Sequence, residues 1–398
     1  MVKRVFVLAT MAIALGAPCI SAQTCANTKL SCLIPTALHT TSSAFNFVNE
    51  AFGTQIGQLP LASPASGFVY QMDKSGVYTS FSESFGPLLA ERSETIGRNK
   101  FYLAFTYQRF QFSNIDGTDI KNIPVLFYFP SLSNPQVVTM TQNRIDTKID
   151  QFVAFGTFGL TNRLDVSVAV PFERISMGVS SKGTEYSTTT TASASFSEFV
   201  PGSAKGVGDV LVSAKYGLLR SERFGVSGGV QVRFPTGDER NFLGSGAYGV
   251  KPFLVVSRRG RVAPHLNIGY QWNGSSFLAT DANGSENSLP GDFAYTAGAD
   301  IGVTKRVTVV GDLLGQHFFS APQISKPTAL TANVNNQSTS FTSVQAISSA
   351  SYDVENLSIG FKANPIGNLL VSVNALVKLN DGGLRATVVP LVGISYSF

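Results

Sequence analysis

The sequence predicts an all-β chain: a transmembrane antiparallel β-barrel of about twelve strands, or fourteen if an early hairpin adds a pair, behind an N-terminal extension. Three observations carry this prediction. Apolar and polar residues alternate with period two in runs of about 10–14 residues, where soluble strands usually hold 5 or 6. Aromatic residues gather at the ends of these runs. Short turns alternate with long connections, as they do in barrels with one periplasmic and one outer rim.

Composition agrees with that architecture. Only 14% of the 398 residues are charged, against about 25% in a soluble domain. Hydrophobic residues make up an ordinary 43%. A helical membrane protein would show long apolar runs, and a soluble enzyme would carry more charge. Strands with one face in lipid and one in a polar lumen fit both values. The net charge of +5 is scattered, largely in turns, so no nucleic-acid-binding stripe is expected.

Residues 1–22 read as a secretory signal peptide: Lys3 and Arg4, the apolar stretch Val5 to Leu15, helix breakers Gly16 and Pro18, and small residues at Ser21-Ala22. The stretch is too short for a membrane anchor, and Pro18 disfavours lipidation at Cys19. Cys25 and Cys32 remain after cleavage and can form a short-loop disulfide in an oxidising compartment. With only His39 nearby they make a poor zinc site. No metal or cofactor is expected.

Residues 23–98 lack sustained alternation and read as an extension that lies in the periplasm, plugs the lumen or adds a hairpin; Gly67 to Tyr70 is a candidate strand. Residues 99–398 read as the barrel. Leu164, Val166, Val168, Val170 and Phe172 alternate with Asp165, Ser167 and Ala169. Val262, Leu266, Ile268, Tyr270 and Trp272 alternate with His265, Asn267 and Gln271. Leu369 to Val377 repeats the pattern, as does Ala386 to Phe398. Short turns fall at 160–163, 220–223, 258–261, 304–306 and 364–368. Long connections fall near 114–143, 176–205, 235–246, 274–290 and 318–346. The Ser/Thr-rich stretches 180–200 and 325–346 read as exposed outer loops. The chain stops at Phe398 with Tyr396 in phase, a pairing that resembles the terminal signal by which the barrel-assembly machinery reads its clients.

Alternation points Asp209, Ser213, Lys215, Gln231, Arg233, His265, Asn267, Gln271, Asp300, Asp312, Gln316, Lys362, Asn374, Lys378 and Thr387 into the lumen, among small residues Gly229, Gly298, Gly360 and Gly393. Two readings stay open. The charges pair and fill the barrel, or they line a wet passage; the glycines favour the passage. Twelve strands enclose more space than the eight that side chains alone fill. Gly244, Gly246 and Gly249 spell a dinucleotide-like motif, but it follows a loop and enters a strand, so a loop tip is expected instead of a cofactor cradle. An outer-membrane lipid hydrolase would need a histidine at the outer rim with a serine beside it. His317, with Ser351 on the next strand, is the one position that can be entertained, and the expectation is a non-enzyme.

The stretch from Arg233-Phe234-Pro235-Thr236-Gly237-Asp238 through Leu243 to Pro252, followed by Pro264-His265-Leu266-Asn267-Ile268-Gly269-Tyr270, resembles the outer-membrane barrels grouped under the MetA pathway of phenol degradation. The resemblance covers roughly residues 100–398. It implies a bacterial outer-membrane channel or transporter for passive uptake of small, aromatic or apolar molecules. Its expected partners are outer-membrane lipids, the assembly machinery and a small-molecule solute. A structural or adhesive barrel with a filled lumen is the alternative.

Overall fold

A strand with apolar outward side chains cannot leave a free edge in lipid, where an unpaired N–H or C=O finds no water. The chain meets this constraint by closing its ladder. The structure is a computed structural model that describes residues 29–37, 52–56, 59–60, 70–72, 78–80, 83–129, 137–280 and 285–398. Twelve antiparallel strands form a complete cylinder. They are β1 Phe101–Ile115, β2 Val137–Gly159, β3 Leu164–Ser187, β4 Val210–Arg220, β5 Phe224–Phe234, β6 Gly249–Arg258, β7 Val262–Asn273, β8 Asp292–Thr304, β9 Val307–Ile324, β10 Ala346–Ile366, β11 Leu369–Lys378 and β12 Val388–Ser397. Each pairs with its chain neighbour, and β12 returns to β1 through pairs such as Val392 with Tyr107 and Tyr396 with Leu103. The barrel closes with twelve strands, so the extra pair that would make fourteen is not part of it.

The outward set forms one apolar belt. Phe105, Phe152, Phe158, Val168, Phe172, Leu266, Ile268, Leu313, Ile359, Phe361, Val373 and Ile394 are all exposed on the barrel wall. A soluble protein would not leave so continuous a surface open to water. Aromatics bound the belt at both rims. Phe101, Tyr396 and Phe398 cluster at the rim of the short turns, with ring centroids 6.0 Å apart for Phe101 and Phe398 and 4.7 Å for Tyr396 and Phe398. Tyr107 and Phe152 meet at 4.9 Å and Tyr270 and Trp272 at 4.8 Å towards the other rim. The described helices include none long and apolar enough to cross a membrane; the strands cross it.

Above the belt the wall continues as sheet. β2 and β3 run for 23 and 24 residues, about twice the 9–11 that a membrane crossing needs. The stretches expected as loops are hairpins instead: Ser193–Val207 pairs with β3, and Thr328–Val334 pairs with Gln337–Ser343. Their Ser and Thr residues sit between inward apolar residues such as Val179 and Val200. That pattern is period two, and Thr favours a pleated surface. One parity is also reversed. Thr387 faces outward and Ala386 is buried, because the chain changes strand between Leu384–Ala386 and β12 and the β1 pairing slips there.

The extension enters the barrel. Leu30, Leu33, Ile34 and Ala37, then Phe52 and Ile56, are buried at the outer end. Gly202 lacks a Cβ where Leu30 and Leu33 press against the wall. Lys29 Nζ reaches Asp238 at 2.6 Å. Farther in, the carbonyl of Pro60 accepts from Gln108 Nε2 at 2.7 Å. Tyr70–Met72 and Tyr78–Ser80 form a small hairpin. The expected signal peptide, Gly67 to Val69 and Cys25, with its expected disulfide to Cys32, lie outside the described residues.

Two outcomes test this fold. Val168 sits mid-belt on β3 between outward Val166 and Val170. Val168→Arg should cost about 2–4 kcal/mol in urea unfolding from lipid vesicles. Ser176→Arg, on the same face above the belt, should change stability by less than about 0.5 kcal/mol.

The second concerns Asp116, in the turn beyond β1, whose carboxylate accepts the backbone N–H groups of Ile324 and Gly383, each at 2.9 Å. Burial lifts its pKa to about 6 despite those two donors. The folded state therefore holds this proton more tightly than the unfolded chain. Its contribution is fully present below about pH 4 and lost as pH rises through about 6. Wild type should gain stability between pH 7.5 and pH 4.5 relative to Asp116→Asn, measured as the difference of their melting temperatures at each pH.

Candidate functional site in the barrel lumen

Each inward position along the strands faces either another wall or the extension, and the two halves of the lumen differ in which they meet. In the half near the short turns, residues 83–98 cross the barrel. Ser84 to Ala90 and Arg92 to Gly97 are buried. Every strand from β3 to β10 offers them a polar partner. Ile96 N donates to Asp165 at 2.9 Å, and Lys215 Nζ pairs with Glu91 at 2.9 Å and donates to the Arg92 carbonyl at 3.0 Å. Ser227 bonds the Ser93 carbonyl, and Ser93 N donates to Ser257 Oγ at 3.1 Å. Glu91 N donates to Asn267 at 2.6 Å and Phe85 N to Thr308 at 3.0 Å. Lys362 Nζ donates to the carbonyls of Pro87 at 2.7 Å and Phe85 at 3.2 Å.

A carboxylate–imidazole–guanidinium chain lies at the centre of this half. His265 Nε2 meets Asp312 at 2.8 Å, and its Nδ1 lies 3.5 Å from Asp300. Asp300 in turn pairs with Arg92 of the crossing segment at 3.3 Å. Arg92 also donates to the Ser84 carbonyl at 2.7 Å, which holds the segment in a bend. Glu94 takes Arg259 at 2.9 Å from the rim. Asp312 Oδ2 and Asp165 Oδ1 are buried without a hydrogen bond among the described residues. A buried carboxylate oxygen left this way costs stability, so these two acids mark where the packing around the segment is least complete.

The glycines do not open a passage here. A Cβ on Gly298 would strike the Asp312 carboxylate, one on Gly229 the Phe253 ring, one on Gly360 the Asn374 side chain and one on Gly393 the Ser372 hydroxyl. Each glycine makes room for its cross-strand neighbour. Asn374 is thereby placed to bond Ser358 at 2.8 Å. The expectation that glycines widen the lumen is corrected: the room they leave is filled.

The outer half holds a cavity of about 280 Å³. Its floor is Leu89, Ala90 and Glu91, and Ile56, Leu59 and Pro60 form one side. Phe155, Ala169, Leu211, Phe253 and Leu314 supply apolar wall, with Gln151, Glu173, Ser213, Gln231, Lys251, Gln271, Asp292, Thr296 and Gln316 between them. Part of this polar set is engaged. Gln151 donates to Glu173 at 2.7 Å, Gln316 to Asp292 at 3.4 Å and Gln271 to Asn273 at 3.1 Å. Asp209 accepts from Ser245 N at 2.7 Å and Gly237 N at 3.2 Å, and lies 3.7 Å from Arg233 Nε. Arg233 donates to Asn273 at 2.7 Å. Asp209 and Arg233 thus clamp the 235–248 loop. By contrast Ser213, Gln231 and Lys251 lie side by side in register and make no hydrogen bond or ion pair among the described residues.

The remaining sequence candidates fall elsewhere. Lys378 points inward at the outer rim, bonded to Asp381 at 2.7 Å and Asn114 at 3.3 Å. Gly244 packs on Asp209, Gly246 turns at φ 69°, and Gly249 opens β6 with no helix after it. His317 is outward, bonded to Asp353 at 2.8 Å with Phe319 packed edge-on at 4.6 Å. Ser351 makes no hydrogen bond to it. No group of His, Cys, Asp and Glu among the described residues is arranged to hold a metal ion. Sequence reasoning missed Lys251, Glu173, Asp292 and the whole set on 83–98. The first three follow from strand parity once the strands are extended to their true ends. The last carries no periodic signal.

A closed cylinder with an apolar belt, a polar lumen and short turns at one rim is a bacterial outer-membrane β-barrel. Residues 132–369 match the model of the family described as "Putative MetA-pathway of phenol degradation", and the chain belongs to that family. Among solved structures it is similar to an outer membrane channel from Pseudomonas putida F1 (11% identity, 77% of this chain and 98% of that one, TM-score 0.47). It is also similar to the toluene transporter TbuX of Ralstonia pickettii (10% identity, 80% and 96%, TM-score 0.35). A Pseudomonas aeruginosa FadL homologue is a third (9% identity, 84% and 96%, TM-score 0.31). No curated protein matches the sequence.

The crossing segment is held by buried charge, so it should be releasable by removing one partner. Arg92→Met leaves Asp300 with His265 and the Ser84 hydroxyl and should weaken docking of 83–98 by about 3 kcal/mol. Hydrogen exchange should rise in that segment and stay unchanged in β6 to β9. Equal protection of the segment in both proteins would show that Arg92 does not hold it.

Proposed function

We propose that the protein is an outer-membrane channel or transporter that takes up small amphipathic molecules, an aromatic or apolar body carrying a polar or anionic acceptor, with residues 83–98 as the movable block on the periplasmic side. The observation that carries the reading is the outer cavity. It is sized for a small molecule, Leu211 and Phe253 give it apolar lining, and next to them on the same strands Ser213, Gln231 and Lys251 make no hydrogen bond or ion pair among the described residues. A polar group inside a protein is normally satisfied, and a site that binds by burying an apolar body with a few fixed polar groups has this make-up. The family description names phenol degradation, and a substituted phenol or benzoate matches this mixed lining. Candidate residues are Lys251 for the acceptor, Gln231, Ser213, Asn267 and Gln271 for orientation, and Leu211, Phe253 and Phe155 for the ring.

One observation favours a second reading. Residues 83–98 are bonded to strand after strand, as in a barrel whose lumen is permanently filled and whose outer hairpins carry its role. Solute flux separates the two. In proteoliposomes, 4-hydroxybenzoate should equilibrate several-fold faster than in protein-free vesicles and faster than arabinose. Arg92→Met should raise both rates, and Lys251→Met should slow the benzoate without slowing the sugar. Protein-free rates for both wild type and Arg92→Met would reject the channel and leave the filled barrel.

A further inference from the structure

The outer face of β1, β2, β3 and the following hairpin strand changes character between two adjacent cross-strand rows. Tyr107, Phe152, Phe172 and Val207 stand in one row. All are outward, and they form the top of the lipid belt. One pleat higher, Arg109, Asp150, Arg174 and Lys205 stand in register, about 7 Å further along the strands. Lys148 lies in the row above them, paired across from Ser176.

This row contains one acid and it is already used. Asp150 takes Arg109 Nε at 2.8 Å and the Tyr107 hydroxyl at 2.7 Å. Arg174 and Lys205 are then direct cross-strand neighbours of like charge, an arrangement that costs stability when nothing lies between them. Neither they nor Lys148 makes an ion pair among the described residues, and all three are exposed. The far wall differs: at the outer aromatic level β10 presents Asp353, paired with His317, and Glu355. The cationic patch therefore belongs to one side of the barrel and is not a ring common to its rim.

We infer that Arg174, Lys205 and Lys148 bind the phosphate groups of a glycolipid of the outer leaflet. A lipid whose acyl chains lie against Phe152 and Phe172 places its headgroup at the next row up, where these three cations stand. Guanidinium and ammonium groups are the side chains that hold a phosphate by charge-assisted hydrogen bonds, and the acids beside this cluster, Asp150 and Asp146, are already paired with Arg109 and Arg144. The phosphate in turn removes the repulsion between Arg174 and Lys205. The site lies on the outer wall, so this inference stands apart from the reading of the lumen.

The test uses the full mature chain in phosphatidylcholine nanodiscs, titrated with diphosphorylated lipid A, with the same lipid stripped of phosphate, and with inorganic phosphate. Retained lipid is counted by native mass spectrometry. Wild type should retain the diphosphorylated lipid at least tenfold better than the stripped one. The combined Lys148→Gln, Arg174→Gln, Lys205→Gln variant should lose that preference to within twofold. Lys182→Gln, higher on the same wall, should keep it. Should the triple variant fail to fold, Arg174→Gln and Lys205→Gln singly should each reduce the preference several-fold. Equal retention of both lipids, a preference undiminished in the variants, or competition by millimolar inorganic phosphate would overturn the assignment.

Discussion

Everything in this molecule depends on the closure of one hydrogen-bonded ladder. In hydrocarbon each unpaired backbone group costs several kcal/mol, so the first and last strands must find each other. They do so to the final residue: Phe398 N donates to the Phe101 carbonyl at 2.8 Å. Closure brings both ends of the barrel to the same rim. It also fixes the parity of every strand, because a slip of one residue would turn its charges into lipid. Asp300, Asp312, Lys215 and Lys362 are buried for this reason; alternation sends them inward whether or not the interior has a use for them.

The interior then has to satisfy what closure delivers. Eight strands enclose a space that side chains fill, and sixteen enclose a pore. Twelve leave a gap too wide for side chains and lined with charge. The chain solves this with its own residues 83–98, whose backbone carbonyls at Phe85, Pro87 and Arg92 accept hydrogen bonds from Lys362 and Lys215 and whose Arg92 completes the Asp300–His265–Asp312 chain. Inward glycines serve the same end by admitting a neighbour's side chain.

The legible part of this was the part that repeats. Period-two runs such as Leu164 to Phe172 and Leu369 to Val377 placed the barrel, its parity and most inward charges. Runs with a break were harder to read. Strict alternation puts Thr387 on the wrong face because the ladder slips between Arg385 and Ala386, and nothing in the composition of Leu384 to Val388 marks it. The outer hairpins read as loops because Ser and Thr weaken the contrast between faces, and in 337–343 they stand on both faces, where there is no lipid to demand contrast. The crossing segment was illegible for a deeper reason. Its order comes from partners more than 60 residues away in sequence, as with Ile96 and Asp165, and an irregular backbone satisfied by side chains leaves no period.

The nature of those contacts bears on whether the block can move. A lysine bonded to backbone carbonyls, as Lys362 is, loses little if water replaces them, since carbonyl and water are comparable acceptors. An ion pair such as Arg92 with Asp300 is different: separating it strands two charges unless each finds solvent. The segment therefore carries many exchangeable bonds and a few that set the cost of release, Arg92–Asp300, Lys215–Glu91 and Arg259–Glu94. A permanent filling would be better built from apolar packing, which needs no exchange partner and no water. The chain uses that kind of packing at Leu30, Leu33 and Phe52 at the outer end; in the crossing segment it combines apolar packing of Leu88, Leu89 and Ile96 with these charge pairs.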